Sequence, residues 1–210
     1  MADLDLVDFA VDYARQKGAT YAEARFEHQT NEDFILKNSV LDALYFGEDS
    51  GIGVRVLANG GLGFAATNAM TKGDVKAIVD DAVKIAKAAH RKDPISFAPE
   101  KPVVTNWSVP QVKKLSDVPV EEKIEEILHI DRELKDLKFK MPARYFQQSN
   151  KQIDKYFVNS EGSKIRSFSP RVRLFYFLTV AHNGNVEQTY QNYGWSGGWE
   201  ALNELQMRRR

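Results

Sequence analysis

Apolar residues at the start of the chain recur at every third or fourth position. Leu6, Phe9, Ala10, Tyr13 and Ala14 share one side of a predicted helix, which Lys17-Gly18 ends. The period then drops to two. In YAEARFEHQ (21–29), Ala22, Ala24, Phe26 and His28 alternate with Tyr21, Glu23, Arg25, Glu27 and Gln29. That alternation predicts a strand with one buried and one wet face. Two further strands are expected over 33–37 and 41–46, around a turn at Asn38-Ser39. Glycine then becomes dense, with six of the 13 falling between Gly47 and Gly63. Val54, Val56 and Ala58 lead into Asn59-Gly60-Gly61, and Leu62-Gly63-Phe64 follows. Asn-Gly between two apolar runs predicts a hairpin, because both residues tolerate positive φ. Gly51, Gly53, Gly61 and Gly63 are read as bulges and a tight turn, so valine at Gly53 or Gly63 is expected to destabilise strongly.

Thr71 and Asp74 have capping-box spacing. Behind them Val75, Ile78, Val79, Ala82, Ile85, Ala86 and Ala89 form a helical stripe that runs to His90-Arg91-Lys92, where basic side chains suit the helix C-terminus. Five of the seven prolines lie between residues 93 and 119, and this stretch is taken as the boundary inside the chain. A second helix is expected across PVEEKIEEILHIDRELKDL, with Glu121 and Glu122 in its first turn and Ile124, Ile127, Leu128 and Leu134 inward. The remainder predicts strands in RYFQQSNKQ, DKYFVNSEG, SKIRSF, RVRLFYFLTVAH and NVEQTYQNY, with hairpin turns at 159–162 and Asn183-Gly184. WEALNELQMRRR is expected to begin another helix. The resulting fold class is α+β: two α/β units with mostly antiparallel sheets flanked by helices. Their expected extents are 1–92 and 119–210, joined by a proline-rich linker over 93–118.

The composition narrows the chemistry. Lysine and arginine (29) balance aspartate and glutamate (29), so the basic excess of a dedicated nucleic-acid binder is missing and no nucleic-acid partner is expected. The 210 residues contain no cysteine, which excludes disulfides, cysteine-based metal sites and thiol nucleophiles within them. The acidic, amphipathic N-terminus is not of signal-peptide type and no apolar run reaches bilayer length, so a cytoplasmic location without membrane contact is expected. His28, His90, His129 and His182 are scattered, and Asp131 and Glu133 beside His129 are read as solvated helix charges. No metal site is expected. Neither a phosphate-binding glycine loop nor a GxSxG elbow is present. The basic and aromatic mixture of Arg166, Phe168, Arg171, Arg173, Phe175, Tyr176 and Phe177 is read first as an ordinary amphipathic strand, with stacking on a single-stranded nucleic acid as the alternative.

Three separated motifs carry a resemblance. Gly18, Ala19, Tyr21, Glu23 and Arg25 come first. Gly51, Gly53, Val54, Arg55 and Val56 follow, and then Gly63, Phe64, Ala65, Thr67 and Asn68. With YFVNSEGSKIRS further on, this order resembles the N-terminal and middle regions of the TldD/PmbA family, also called modulators of DNA gyrase. The resemblance implies a zinc-dependent peptidase acting on extended or unfolded peptides, working as a homodimer or as a heterodimer with a metal-free partner subunit. The family's zinc motif, HExxxH, and a further cysteine lie in its C-terminal domain, and neither occurs here. The chain is therefore expected to be the non-catalytic N-terminal portion of such an enzyme, truncated before the catalytic domain and inactive alone. Zinc belongs to the absent part. The chain's own role would be to form a wall of the peptide channel and part of the dimer interface. The alternative is a standalone binding or regulatory subunit that pairs with a catalytic partner. No catalytic or metal residue is assigned. Arg55, Phe64, Thr67 and Asn68 of the hairpin are the expected substrate contacts.

Overall fold

The structure is a computed structural model and describes residues 2–137 and 139–202. Its elements are α1 (Ala2–Gln16), β1 (Tyr21–Lys37), β2 (Val40–Ala58), β3 (Gly61–Thr67), α2 (Lys72–Ala88) and β4 (Val104–Ser108). After a 3₁₀ turn at Leu115–Asp117 come α3 (Val120–Lys135), β5 (Lys140–Asn159), β6 (Lys164–His182) and β7 (Asn185–Ser196). The strands join in one seven-stranded sheet of order β3-β2-β1-β5-β6-β4, with β7 also on β6. Pairing is antiparallel for β2/β3 and β6/β7 and parallel for β4/β6. The fold is thus α+β and mostly sheet, but its strands form a single sheet where two were expected.

Several strands are longer than the sequence suggested. Positions 30–33 (Thr-Asn-Glu-Asp) look like a break, yet β1 continues through them. Their side chains meet equally polar ones on β5: Gln152 donates to Thr30 at 3.4 Å, Asn150 to Glu32 at 2.9 Å, and Gln147 and Ser149 to Asp33 at 2.9 and 2.5 Å. Cross-strand hydrogen bonds here do what apolar pairs do elsewhere. The expected turns are present. Asn38 and Ser39 have φ of 50° and 70°, Asn59 and Gly60 of 52° and 77°, and Asn183 and Gly184 of 49° and 81°, as tight two-residue hairpins require.

The chain divides into two compact units that are not consecutive in sequence. One comprises Met1–Gln29, Asp49–Ser108 and Ile153–Phe168; the other comprises Thr30–Glu48, Val109–Gln152 and Ser169–Arg210. Within the proline-dense stretch, Val104–Ser108 form β4. In the first unit α1 and α2 cover one sheet face. Val7, Ala10, Val11 and Ala14 of α1 and Val75, Val79, Ala82 and Ala86 of α2 pack on Ala22, Ala24, Ile52, Val54 and Val56. Thr71 caps α2 as expected, accepting from the Asp74 N–H at 3.2 Å while its hydroxyl meets the Asp74 carboxylate. Ile85 is 47% exposed, and Val83 takes the inward place expected of it.

Between β2 and β3 no bulge occurs at Gly53, Gly61 or Gly63. Pairing runs without interruption from Ala58↔Gly61 to Ile52↔Thr67. Gly61 and Gly63 instead face α2: a Cβ on Gly63 would lie 1.9 Å from the Ala82 carbonyl oxygen, and one on Gly61 would lie 2.2 Å from that of Ala86. Helix and strand approach too closely for any side chain.

In the second unit Phe34, Leu36, Phe146, Val172 and Leu174 pack against Ile127 and Ile130 of α3 and against Trp199. The inward arc of α3 also carries two charges. Lys123 (1% exposed) meets Glu32 at 2.5 Å, and Asp131 (0% exposed) meets Arg144 at 2.6 Å. Asp131 is therefore not solvated, as its helical context suggested. It accepts from Ser39 of the β1–β2 turn at 2.5 Å as well, so one carboxylate ties turn, helix and strand together. Most of the helix expected over the last residues lies outside the described part of the chain.

Candidate functional site

In the first unit the face of β1–β3 opposite the helices carries Glu23, Arg25 and Glu27 from β1, Gly51, Gly53 and Arg55 from β2, and Phe64 and Ala66 from β3. With Thr67 they line a cleft of about 410 Å³. The period-two pleat puts odd-numbered β1 residues on this face. Register places Gly53 opposite Ala66 and Arg55 opposite Phe64. With no side chain at Gly53, the Phe64 ring settles over it: a Cβ there would touch Phe64 at 3.2 Å. Phe64 remains 58% exposed.

Arg55 is held on two sides. Its guanidinium donates to Glu23 Oε1 at 2.5 Å and lies 5.4 Å from the Phe97 ring centre. Its buried Nε has no hydrogen-bond partner among the described residues. Tyr21 packs edge-on against Phe97 and donates to Glu23 Oε2 at 2.7 Å. Burial, reinforced by the Glu23 carboxylate, pushes the Tyr21 hydroxyl up to about 12. Arg25 lies over Phe157, and Glu27 pairs with Lys155 at 3.0 Å. The cleft is therefore floored by glycine, walled on one side by alternating charges and on the other by an aromatic ring. An extended chain could lie on such a surface, with carbonyls meeting cations and side chains resting on Phe64.

Of the four expected contact residues, Arg55, Phe64 and Thr67 come together in this cleft. Thr67 Oγ1 accepts the Ala69 N–H at 3.0 Å. Asn68 is exposed just past β3 and does not line the cleft. Sequence reasoning did not assign Glu27, Gly51 or Gly53 to the site, and it quoted Glu23 and Arg25 only as motif residues. The alternation of β1 was the available signal, because it places Glu23, Arg25 and Glu27 on the wet face shared with Arg55.

The histidines do not converge. His28 bonds Ser50 at 2.8 Å, His90 the Asn59 carbonyl at 2.8 Å, His129 lies 3.6 Å from Glu133, and His182 packs on Phe139. Among the described residues no three His, Asp or Glu side chains form a group able to hold a metal ion, so the donors present do not fit a zinc centre. No described helix is long and apolar enough to cross a membrane.

The α+β fold and the motif-lined cleft define a family. The family model for PmbA/TldA metallopeptidase domain 1 matches residues 22–86, and that for the PmbA/TldA metallopeptidase central domain matches 113–209. The chain belongs to the TldD/PmbA metallopeptidase family, of which it covers the N-terminal and middle parts. It is similar to a metalloprotease of Methanocaldococcus jannaschii, 26% identical over 180 residues, covering 84% of this chain and 39% of that protein. A metalloprotease of Methanothermobacter thermautotrophicus is likewise 26% identical, over 87% of this chain and 39% of its own length. The chain thus spans about two fifths of these relatives. The fold is shared with a protein from Bacteroides thetaiotaomicron described as a modulator of DNA gyrase (TM-score 0.71, 17% identity, 92% of this chain and 45% of that one). It is also shared with TldE from Thermococcus kodakarensis (TM-score 0.65, 15% identity, 92% and 43%).

Proposed function

We propose that this chain supplies the non-catalytic N-terminal and middle regions of a TldD/PmbA-type zinc metallopeptidase, and that the β1–β3 cleft forms one wall of its peptide channel. The observation carrying this reading is the glycine floor at Gly51 and Gly53 beside the fixed Glu23–Arg55 pair and the exposed Phe64. Glycine at 53 lets the Phe64 ring rest over the strand as a platform for side chains, and the polar groups present can meet amide oxygens without selecting a sequence. Zinc would be held by the portion of the enzyme that the relatives have and this chain does not span. Bond cleavage is accordingly assigned to that portion and not to any residue here. The working assembly would be a homodimer or a heterodimer with a family partner subunit, in the cytoplasm, with a peptide as substrate.

Titrating the chain against an unstructured fluorescein-labelled peptide, read by anisotropy, tests the wall. Saturable binding that weakens roughly tenfold in both Arg55→Ala and Phe64→Ala is the expected result, as for anchor residues of an interface. Binding unchanged in both variants, or no binding to the parent chain, would overturn it.

A further inference from the structure

Two arginines of the second unit have no paired carboxylate among the described residues. Arg171 and Arg173 stand two residues apart on β6, so both side chains leave the same face of the strand, about 6–7 Å apart. Pairing with β7 puts Ser196 opposite Arg171, Gly194 opposite Arg173 and Asn192 opposite Phe175. Arg171, Arg173, Asn192, Gly194, Trp195 and Ser196 line a cleft of about 380 Å³. Four guanidiniums elsewhere are neutralised: Arg55 by Glu23, Arg132 by Glu125, Arg144 by Asp131 and Arg166 by Asp154. Among the described residues no carboxylate pairs with Arg171 or Arg173.

Arg173 is nonetheless held in place. Its Nε donates to Asn192 Oδ1 at 2.9 Å, and its guanidinium lies 5.6 Å from the Phe175 ring centre. A neutral amide and a ring orient the cation without cancelling its charge, and most of its five N–H donors stay uncommitted. The position opposite is open, since a Cβ on Gly194 would meet nothing within 4 Å. Beyond the arginines the same face turns aromatic. Phe175 packs on Tyr145 at 6.0 Å and on Tyr190 at 6.5 Å, and Tyr190 is 68% exposed. Two like charges side by side above an unfilled position match an oxyanion, and the adjoining rings match an apolar group beside it.

We propose that this cleft binds a carboxylate of a peptide, with a neighbouring apolar side chain resting on Phe175 and Tyr190. The choice of a peptide as carrier rests on the metallopeptidase reading, whereas the oxyanion chemistry does not. The carboxylate is either the chain terminus or an acidic side chain. The 210-residue chain would be titrated with acetyl-Ala-Phe as the free acid, with its amide, and with acetyl-Glu-Phe-amide, read by calorimetry and tryptophan fluorescence. One or both carboxylate peptides should bind roughly tenfold tighter than acetyl-Ala-Phe-amide. That margin should shrink as salt rises, and whichever carboxylate peptide binds tighter names the source. The margin should vanish in Arg171→Gln/Arg173→Gln. It should vanish also in Gly194→Asp, which places a competing carboxylate in the cleft where the backbone has room. Equal binding of acids and amide, or a folded double variant that keeps the preference, would overturn the proposal. Displacement of the peptide by equimolar inorganic phosphate would also overturn it. The readout here is the margin of acid over amide and its loss in Arg171→Gln/Arg173→Gln, whereas the channel wall is read by the loss of labelled-peptide affinity in Phe64→Ala, so failure here is distinguishable from failure of the channel-wall reading.

Discussion

The two units solve the same packing problem by opposite means. The first closes by subtraction: Ala22, Ala24, Gly61, Gly63, Ala82 and Ala86 remove side chains until helix and sheet nearly touch. The second closes around charge, burying Lys123 and Asp131 on the helix face that meets the sheet. Close packing of small groups is stiff and intolerant of added volume. A buried ion pair tolerates shape but not the loss of one member. The first unit should therefore fail to insertions and the second to deletions of charge.

The sharpest break of that contrast is Gly63→Val. The new side chain meets a backbone carbonyl that cannot rotate away, and a loss of about 4 kcal/mol or more in denaturant unfolding is expected. A cost below about 1 kcal/mol would show that α2 is free to lift. Next comes Asp131→Ala, which strands Arg144 and frees Ser39, with about 3–5 kcal/mol expected. Asp131→Leu combined with Arg144→Met should recover most of it, and equal instability of the double variant would remove the charge-pair account.

Gly53→Val sharpens the comparison from the other side of the same hairpin. Here the obstacle is the Phe64 ring, which can swing outward, so about 1 kcal/mol or less is expected. Smallest are the effects of pH. The raised pKa of Tyr21 means the unfolded chain loses that proton first, so its contribution to the first unit is intact below about pH 10. It should be lost as pH climbs through about 12. Glu200 goes the other way. Burial opposes its ionisation, but backbone N–H donors led by Lys113 outweigh this and lower its pKa, so its contribution to the second unit should fade on acidification. Hydrogen exchange resolved by residue should show the first unit loosening in alkali and the second in acid.

Much of this was legible in the residues, because helix stripes and Asn-Gly turns are local signals. The turn at Asn59-Gly60 even contains the answer to the glycine question. A two-residue loop pairs Ala58 with Gly61 and hence Val56 with Gly63, so Gly63 must share the buried face of Val56. Reading the glycines as bulges missed this consequence. Strand lengths were less legible, since Thr30–Asp33 is polar and only its partners on β5, more than a hundred positions away, make it strand. Lys123 and Asp131 share the inward arc with Ile127, each four positions from it. Burial of either depends on a partner the periodicity cannot name. The cleft was half legible: Arg55, Phe64 and Thr67 follow from the hairpin, while its β1 wall requires knowing that β1 lies beside β2.

The interleaving of the two units has a consequence for birth on the ribosome. The first unit takes Met1–Gln29 and Asp49–Ser108 and then waits for Ile153–Phe168. Ser160 donates its N–H to the Ala22 carbonyl at 2.8 Å and accepts the Ala22 N–H on its hydroxyl at 3.0 Å. At about 5–20 residues per second, the interval between Ser108 and Phe168 lasts roughly 3–12 s. Throughout it β1 is a nascent strand with one bare edge, and whatever shields that edge during translation decides how much of the protein reaches its fold.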